Sequence, residues 1–274
     1  MNKTLLCLGF GYSARALARR LAPEGWRVLG TSREGQLVDG VQTIKWPGSP
    51  LPLDGVTHVL SSIAPSEGGD PVLQCLMDQL GGQNLDWVGY LSTTAVYGDH
   101  GGAWVDERTE LAPSTTRGHW RVAAERAWQA SELPVHVFRL AGIYGPGRGP
   151  FAKVKSGQAR RIIKPDQVFS RIHVEDIAQV LTASLARPNP GAVYNLCDDI
   201  PAPPQDVIGF AAELLGQPLP PVVDFDEAEM SPMARSFYAE NKRVRNDRIK
   251  TELGVELLYP DYRSGLEALA KLED

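Results

Sequence analysis

The sequence predicts an α/β fold, and three observations support that prediction. Short apolar runs rich in β-branched residues alternate with segments of helical periodicity, which is typical of a parallel sheet covered by crossover helices. A glycine-rich turn, Gly9–Ala14, separates the first apolar run from the first helical segment. The chain of 274 residues, of which 43% are hydrophobic, can also bury a large core. We therefore predict a Rossmann fold with a doubly wound parallel sheet.

The predicted elements follow in regular order. The strands are Thr4–Leu8, Arg27–Thr31, Val41–Lys45, His58–Ser61, Trp87–Leu91, Val135–Leu140 and Ala192–Asn195. Helical periodicity predicts Ser13–Leu21, Pro71–Leu80, Arg117–Ala130 and Val174–Ala186. The turn residues Pro23, Glu24 and Gly25 separate the first helix from the second strand, as a short connection should.

The pattern becomes less regular beyond the sixth strand. The loop Gly145–Pro150 is rich in glycine and proline, and further on the sequence predicts a helix over Gln205–Leu215 followed by two more. We expect two units. Residues 1–145 and 173–200 would form the Rossmann domain, and residues 146–172 and 201–274 a smaller C-terminal lobe.

Charge and composition narrow the class of partners. The net charge of −5 argues against a nucleic-acid binder, which would carry a basic face, and the densest basic run (residues 242–248) is interpreted as a solvated helix face. The three cysteines show no C-x-x-C spacing and fit a reducing compartment. No apolar stretch reaches the length of a membrane span, and the histidines are scattered singly. We expect a cytoplasmic monomer or homodimer that binds small molecules, without nucleic acid, membrane or metal.

The turn Gly9–Ala14 reads G-x-G-x-x-A between a strand and a helix. In such a motif Gly9 permits the tight turn, Gly11 lets the backbone approach a pyrophosphate, and Ala14 lets the helix pack on the sheet. The free amides at the helix start favour phosphate groups. Glycines also occur in turns that bind nothing, but this placement favours a dinucleotide site. We assign to it Gly9, Phe10, Gly11, Tyr12, Ser13 and Ala14.

The second predicted strand indicates which dinucleotide is bound. An NAD enzyme places an acid about 20 residues after the motif, against the ribose 2′-hydroxyl. Here the strand ends without a carboxylate, and the Arg33 guanidinium can grip a 2′-phosphate. The alternative is a solvated arginine partly neutralised by Glu34. We favour NADP, and the predicted cofactor contacts at or just after strand ends are Ser32, Arg33, Ser61, Ser62 and Ser92.

Six further segments resemble a known family. Leu91–Gly98 (L-S-T-T-A-V-Y-G) is similar to the S-S-x-x-V-Y-G signature of extended short-chain dehydrogenases/reductases, the NAD-dependent epimerase/dehydratase family. Phe138–Gly147 resembles that family's R-x-x-N-x-Y-G-P-G run, Arg171–Ala178 its H-V-x-D-x-A segment, and Tyr194–Leu196 its Y-N-x strand. The segments Asn241–Asn246 and Tyr259–Tyr262 resemble its atypical, YeeZ-like branch. The resemblance spans nearly the whole chain and implies a nicotinamide cofactor.

The family's chemistry uses a tyrosine and, four residues later, a lysine on the same helix face. The resemblance implies a phenol that exchanges the substrate's proton and a lysine that holds the nicotinamide ribose. Alignment on Pro113 and Glu125 puts Arg117 at the tyrosine position and Arg121 at the lysine position. Arg121 can still donate to ribose hydroxyls, but Arg117 cannot replace a phenol because a guanidinium stays protonated. The usual Tyr–Lys pair is therefore absent.

Other catalytic candidates lie near the expected nicotinamide position. Thr93 matches the family's serine or threonine that hydrogen-bonds the substrate oxygen. Tyr97 follows it by four residues, beyond a strand end where α/β folds bind ligands. Packing is the commoner role for such a tyrosine, and we favour packing for Tyr97. The predicted catalytic set is Thr93, Tyr97, Arg117 and Arg121.

The arginines indicate the substrate's charge. The predicted substrate contacts are Thr93, Arg117, Arg148 and Arg171, because guanidinium forks suit carboxylates and phosphates. We expect an oxidoreductase or epimerase-like enzyme acting on a small anionic substrate. The alternative is a non-catalytic NADP-binding sensor or regulatory protein, with which the loss of the Tyr–Lys pair is compatible.

Overall fold

The computed structural model describes residues 3–272, whose strands and helices alternate along the chain. The strands are β1 (Thr4–Leu8), β2 (Arg27–Ser32), β3 (Leu37–Val38), β4 (Val41–Gln42), β5 (Ile44–Lys45), β6 (His58–Ser61), β7 (Trp87–Thr93), β8 (Trp104–Val105), β9 (Val135–Leu140), β10 (Gly142–Tyr144), β11 (Arg161–Ile163), β12 (Arg171–His173), β13 (Val193–Leu196), β14 (Val222–Asp224) and β15 (Arg243–Val244). The helices are α1 (Tyr12–Leu21), α2 (Pro71–Gly81), α3 (Thr116–Gln129), α4 (Phe151–Lys155), α5 (Val174–Ala186), α6 (Pro204–Leu214), α7 (Pro232–Phe237), α8 (Asp247–Thr251) and α9 (Tyr262–Ala270).

Within the described residues, seven strands form the central sheet in the order β13-β9-β7-β6-β1-β2-β5. Every neighbouring pair in it is parallel. The chain passes from β1 to β2 on one side and returns to β6 on the other. Such a reversal of strand order opens a crevice at the carboxyl ends of the strands, where Rossmann folds bind their ligands. The predicted Rossmann sheet is confirmed.

Both faces of this sheet are buried, which explains the continuous apolar runs of its strands. In β1, Leu5 and Cys7 belong to one hydrophobic cluster while Leu6 and Leu8 belong to another. All four side chains are fully buried. Successive side chains of a strand point to opposite faces, so a parallel sheet covered by helices needs apolar residues at every position.

The predicted strand Val41–Lys45 is wrong as a single element. Its first part, β4, pairs antiparallel with β3 across a tight turn, while its second part, β5, joins the edge of the central sheet beside β2. Thr43 lies between them, with its hydroxyl 2.8 Å from that of Ser32 and donating to the Gln36 carbonyl at 2.6 Å. A buried polar side chain therefore divides the run. The other predicted strands and helices of the sheet domain begin and end within two residues of those observed.

The basic run at residues 242–248 is not a solvated helix face. Arg243 and Val244 form β15, which pairs parallel with β8, and α8 begins only at Asp247. Lys242 is largely buried and forms an ion pair with Glu240 at 2.5 Å. The residues between 3 and 272 include no helix with the length and apolarity needed to cross a membrane.

A separate hydrophobic cluster lies in the C-terminal part of the chain. It joins α4, α6 and α9 through Phe151, Val207 and Leu266. Three short helices, not the two predicted, follow α6 in the described chain. The Asp176 carboxylate on α5 fastens this region to the sheet domain by accepting from the amides of Leu258 and Tyr259, at 2.6 and 3.1 Å. The division that assigns residues 146–172 and 201–274 to a smaller lobe stays a prediction, because Val244, Ile249, Leu253 and Val255 pack in the main hydrophobic cluster of the sheet domain.

Candidate functional site

The turn between β1 and α1 is held by the neighbouring strands. Gly9 has a φ of 87°, a conformation that favours glycine. Its amide donates to Thr31 Oγ1 at 2.9 Å, and the Phe10 amide donates to the Thr31 carbonyl at 2.8 Å. From the other side, the Ser62 hydroxyl donates to the Gly9 carbonyl at 2.5 Å. The ends of β2 and β6 thus fix the path of the backbone at the crevice.

Gly11 lies in a more open environment than Gly9. Its φ of −91° is accessible to any residue, and an added Cβ would meet no described atom within 4 Å. Gly11 is the N-cap of α1, whose first amides have no partner within the helix and carry the positive end of its dipole. Open space against such a helix end suits a phosphate group.

The side chains of the turn divide between the core and the crevice rim. Phe10, Ser13 and Ala14 are buried, so that only their backbone can face a ligand. Tyr12 is half-buried, and its hydroxyl donates to the Pro146 carbonyl at 2.9 Å. The exposed Arg148 guanidinium lies 5.7 Å from the centre of the Tyr12 ring. The loop Gly145–Pro150 is therefore attached to the start of α1.

The two predicted residues at the end of β2 have different environments. The Ser32 hydroxyl lies 2.8 Å from the Thr43 hydroxyl and accepts from the Gly35 amide at 2.9 Å. Ser32 therefore stabilises the turn that follows β2, and because it is only half-buried its assignment as a cofactor contact stays a prediction. Arg33 is exposed and forms no hydrogen bond or ion pair with any residue between 3 and 272. The alternative, that Glu34 partly neutralises Arg33 through an ion pair, is therefore not observed.

The other predicted serines lie at or next to the ends of β6 and β7. Ser61 is fully buried, and Ser92 is 4% exposed and donates to Glu125 Oε1 at 2.5 Å. Neither hydroxyl is accessible, so the predicted cofactor contacts of Ser61 and Ser92 cannot be made by their side chains. Ser62 acts indirectly, through its bond to the Gly9 carbonyl.

Thr93 ends β7 at the carboxyl edge of the sheet and is half-buried. Alternation along the strand turns it away from the side on which Ser92 meets α3. Its Oγ1 accepts from the Ala95 amide at 3.2 Å, and the hydroxyl proton remains available for a ligand oxygen.

Tyr97 lies in the core and not in the crevice. Its side chain is fully buried, its hydroxyl donates to Asn195 Oδ1 at 2.7 Å, and Arg139 Nη1 donates to that hydroxyl at 3.0 Å. Burial raises the pKa of Tyr97 to about 12. The catalytic assignment of Tyr97 is wrong, since a buried phenol with both partners satisfied cannot reach a substrate.

One face of α3 is fastened to β7 and β9 by polar side chains. Arg121 Nη1 donates to the Leu91 carbonyl at 2.7 Å and to the Tyr90 hydroxyl at 2.9 Å. One turn later, the buried Glu125 carboxylate pairs with Arg139 Nη2 at 2.8 Å. Arg121 therefore lies over the end of β7 with its Nε and Nη2 donors still available.

Arg117 lies one turn before Arg121, on the same side of α3. It is exposed and forms no hydrogen bond or ion pair within the described part of the chain. A surface ion pair would be the alternative role for an exposed arginine, but no acidic side chain there pairs with Arg117. The guanidinium is thus a cation at the rim of the crevice without a compensating contact.

Arg171 has an internal role, and its assignment as a substrate contact stays a prediction. Its Nη1 donates to the carbonyls of Phe169 and Ala202, at 2.8 and 3.0 Å. Burial lowers the pKa of the guanidinium. These bonds join two loops of the C-terminal part through Nη1, and neither Nε nor Nη2 has a hydrogen-bond partner within the described residues.

The sequence interpretation missed Arg15 and Asp39. Arg15 follows the glycine motif directly, and its guanidinium binds the Asp39 carboxylate at 2.8 and 3.2 Å. The Asp39-Gly40 dipeptide is a recognisable turn signal. Only the folded chain shows that this turn places a carboxylate beside the start of α1.

Comparison with known proteins finds relatives along the whole chain. A conserved protein of unknown function from Silicibacter pomeroyi is 66% identical, with a TM-score of 0.95 over 98% of this chain and 99% of that one. "Protein YeeZ" of Escherichia coli K12 is 29% identical over 94% of this chain and 97% of its own. A structure titled as a putative NAD-dependent epimerase/dehydratase from Methylobacillus flagellatus is 27% identical, with a TM-score of 0.77 over 100% and 99% of the chains. No protein-family model matches the chain.

More distant structures share the fold. The human epimerase family protein SDR39U1, solved with NADPH, is 19% identical with a TM-score of 0.77 over 98% of this chain and 99% of that one. UDP-glucuronic acid 4-epimerase from Bacillus cereus, solved with NAD, is 17% identical with a TM-score of 0.78 over the same shares.

Proposed function

The chain belongs to the NAD-dependent epimerase/dehydratase family of extended short-chain dehydrogenases/reductases, in its YeeZ-like branch, and on that premise we propose that it binds NADP. We further propose that it is an oxidoreductase or epimerase-like enzyme acting on a small anionic substrate. The observation that carries the proposal is the open space beside Gly11, at the N-terminus of α1 and at the switch point of the sheet.

The residues around the turn fit a dinucleotide. The diphosphate would lie on the amides that follow Gly11, and the exposed Arg33 would bind the 2′-phosphate as a charge-assisted fork. The similar folds solved with NADPH and with NAD support a nicotinamide dinucleotide here. Arg33 is the residue that favours NADP over NAD. When bound, such a cofactor accepts or donates a hydride.

The chain's own residues would orient the reaction. Thr93 would donate its hydroxyl proton to a substrate oxygen, as the matching residue does in the family. Arg121 would use the donors that remain after its bonds to Leu91 and Tyr90 to hold the nicotinamide ribose. Arg117 would bind the substrate's anionic group. Arg148, beside the Tyr12 ring at the rim of the crevice, would add a second bidentate guanidinium contact.

A second function is favoured by the residues that replace the Tyr–Lys pair. Neither Arg117 nor Arg121 can exchange a proton at working pH, and Tyr97 is buried. A non-catalytic NADP-binding sensor would need the cofactor turn but no acid or base. Hydride transfer from a panel of small hydroxy acids and sugar phosphates to NADP, followed by nicotinamide absorbance, separates the two functions.

Binding itself is tested by fluorescence titration with NADPH and NADH. We expect saturable binding of both and higher affinity for NADPH. Absence of binding would contradict the proposed site, and equal affinities would contradict the assignment of NADP.

A further inference from the structure

A small hairpin places a carboxylate beside the start of α1. Strands β3 and β4 pair antiparallel and are joined by Asp39 and Gly40, with φ values of 47° and 77°. Two consecutive residues with positive φ are typical of two-residue hairpin turns, for which Asp-Gly is a preferred sequence. The turn therefore fixes Asp39 at the tip, facing α1.

Asp39 binds two arginines of α1. Arg15 holds both carboxylate oxygens, from Nε at 2.8 Å and Nη2 at 3.2 Å, and Arg19 Nη1 adds a third contact at 3.2 Å. The hydrogen bond from Arg15 lowers the pKa of Asp39. The side chains of Arg15 and Asp39 remain 38% and 33% exposed, so a ligand can reach both.

These residues lie at the end of the crevice where the proposed 2′-phosphate would bind. Arg15 immediately follows the glycine motif, and the end of β2 holds that motif through Thr31 and carries Arg33 two residues later. The charges nearby cancel, because Arg15 and Arg19 face Asp39 and Glu175. Arg33 and Lys45, which is in register with Ser32 where β5 pairs with β2, are exposed cations for which no partner is described.

We propose that Asp39 is a specificity-determining residue, whose carboxylate occupies the Arg15 guanidinium that a 2′-phosphate would otherwise bind. This inference rests on the proposed NADP site. Asp39 thereby limits the preference for NADP over NAD, since the phosphate must either displace the carboxylate or lie beside its negative charge. NAD has only a 2′-hydroxyl at this position and does not compete for Arg15.

The test compares Asp39→Asn with Glu175→Gln. Asparagine tolerates the left-handed turn, so the hairpin should persist. Glu175→Gln also removes one negative charge from this group, through its contact with Arg19 at 3.3 Å, but leaves the Arg15–Asp39 pair intact. Unfolding temperatures of both variants check that the fold is unchanged.

We expect Asp39→Asn to tighten NADPH binding about tenfold at low ionic strength, as a charged contact is gained, and to change NADH binding less than about twofold. Glu175→Gln should change neither by more than about twofold, because long-range charge is screened. The gain in Asp39→Asn should shrink as salt is added.

Three results would overturn the role of Asp39: equal gains in both variants, no gain in Asp39→Asn, or weaker binding of either nucleotide to it. The proposed function fails differently. If the unmodified protein binds neither nucleotide, the dinucleotide site is wrong. If the unmodified protein binds NADPH and NADH equally while Asp39→Asn favours NADPH, the proposed preference of the unmodified protein for NADP is wrong, but the role of Asp39 stands.

Discussion

The glycine turn before α1 and the arginine stripe on α3 both lie at the carboxyl ends of the central strands, but they are built differently. The turn is formed by backbone, since strand ends hold the Gly9 amide and carbonyl while Gly11 leaves open space. The arginine stripe consists of the side chains of Arg117 and Arg121, one turn apart on α3. Arg121 is bonded to the sheet, as is Glu125 one turn further on, and Arg117 is exposed. A backbone site depends little on the identity of its side chains, whereas one substitution changes the chemistry of a side-chain site.

The largest effect should come from closing the backbone site. We expect Gly11→Val to abolish binding of NADPH and NADH, because the new side chain would fill the space of the diphosphate. The fold should persist, since the added Cβ meets no described atom within 4 Å. Titration and thermal unfolding check the two halves of this prediction.

Gly9→Ala is the matched comparison for Gly11→Val. Its Cβ would lie 2.7 Å from Ser62 Oγ, on a backbone with a φ of 87°. That variant should lose stability, whereas Gly11→Val should lose only the ligand. Normal cofactor binding by Gly11→Val would show that the dinucleotide does not lie on this turn.

The next largest effect should come from breaking the buried Glu125–Arg139 ion pair, which attaches α3 to the sheet. Glu125→Gln would leave the buried Arg139 guanidinium without its counter-charge. Breaking a buried pair in this way typically costs about 3–5 kcal/mol of unfolding free energy. Chemical denaturation measures it, with the exposed Arg126→Gln on the same helix as a control expected to be silent. A loss of less than about 1 kcal/mol, typical of a surface pair, would mean that α3 does not depend on this network.

A smaller effect sharpens the assignment of the cofactor. Arg33→Ala should weaken NADPH binding by about 1.5–3 kcal/mol, the range of a charged hydrogen bond, and leave NADH binding unchanged. Arg27→Ala, an exposed arginine at the other end of β2, should affect neither nucleotide. If Arg33→Ala weakens both equally, Arg33 does not read the 2′-phosphate.

The smallest effect concerns the stripe itself. Arg117→Tyr combined with Arg121→Lys rebuilds the family's pair but removes the proposed anion anchor. Citrate or inorganic phosphate, titrated against the NADP-loaded protein, should bind about tenfold more weakly, as one charged contact is lost. NADPH affinity should stay within about twofold. Unchanged anion binding would mean that Arg117 has no part in substrate recognition.

The sequence could predict elements whose pattern is local. Strands β1, β6 and β9 were predicted with the bounds observed, because strands buried on both faces show continuous apolar runs. The strand Val41–Lys45 was wrong because its division depends on contacts of Thr43 with Ser32 and Gln36. The basic run at 242–248 was wrong because β15 forms only by pairing with the distant β8.

The same contrast applies to the candidate site. The G-x-G-x-x-A spacing was enough to place a turn between β1 and α1. It could not show that Ser92 bonds to Glu125, or that the Tyr97 hydroxyl lies between Arg139 and Asn195. Those partners come from other strands and helices, and sequence spacing carries no information about them.

A crystal structure of the protein grown with NADPH tests the central claim most directly. We predict the diphosphate against the amides that follow Gly11, the 2′-phosphate in contact with Arg33, and the nicotinamide ribose within hydrogen-bond distance of Arg121. A dinucleotide bound elsewhere, or bound at this turn with its 2′-phosphate in solvent away from Arg33, would contradict the account.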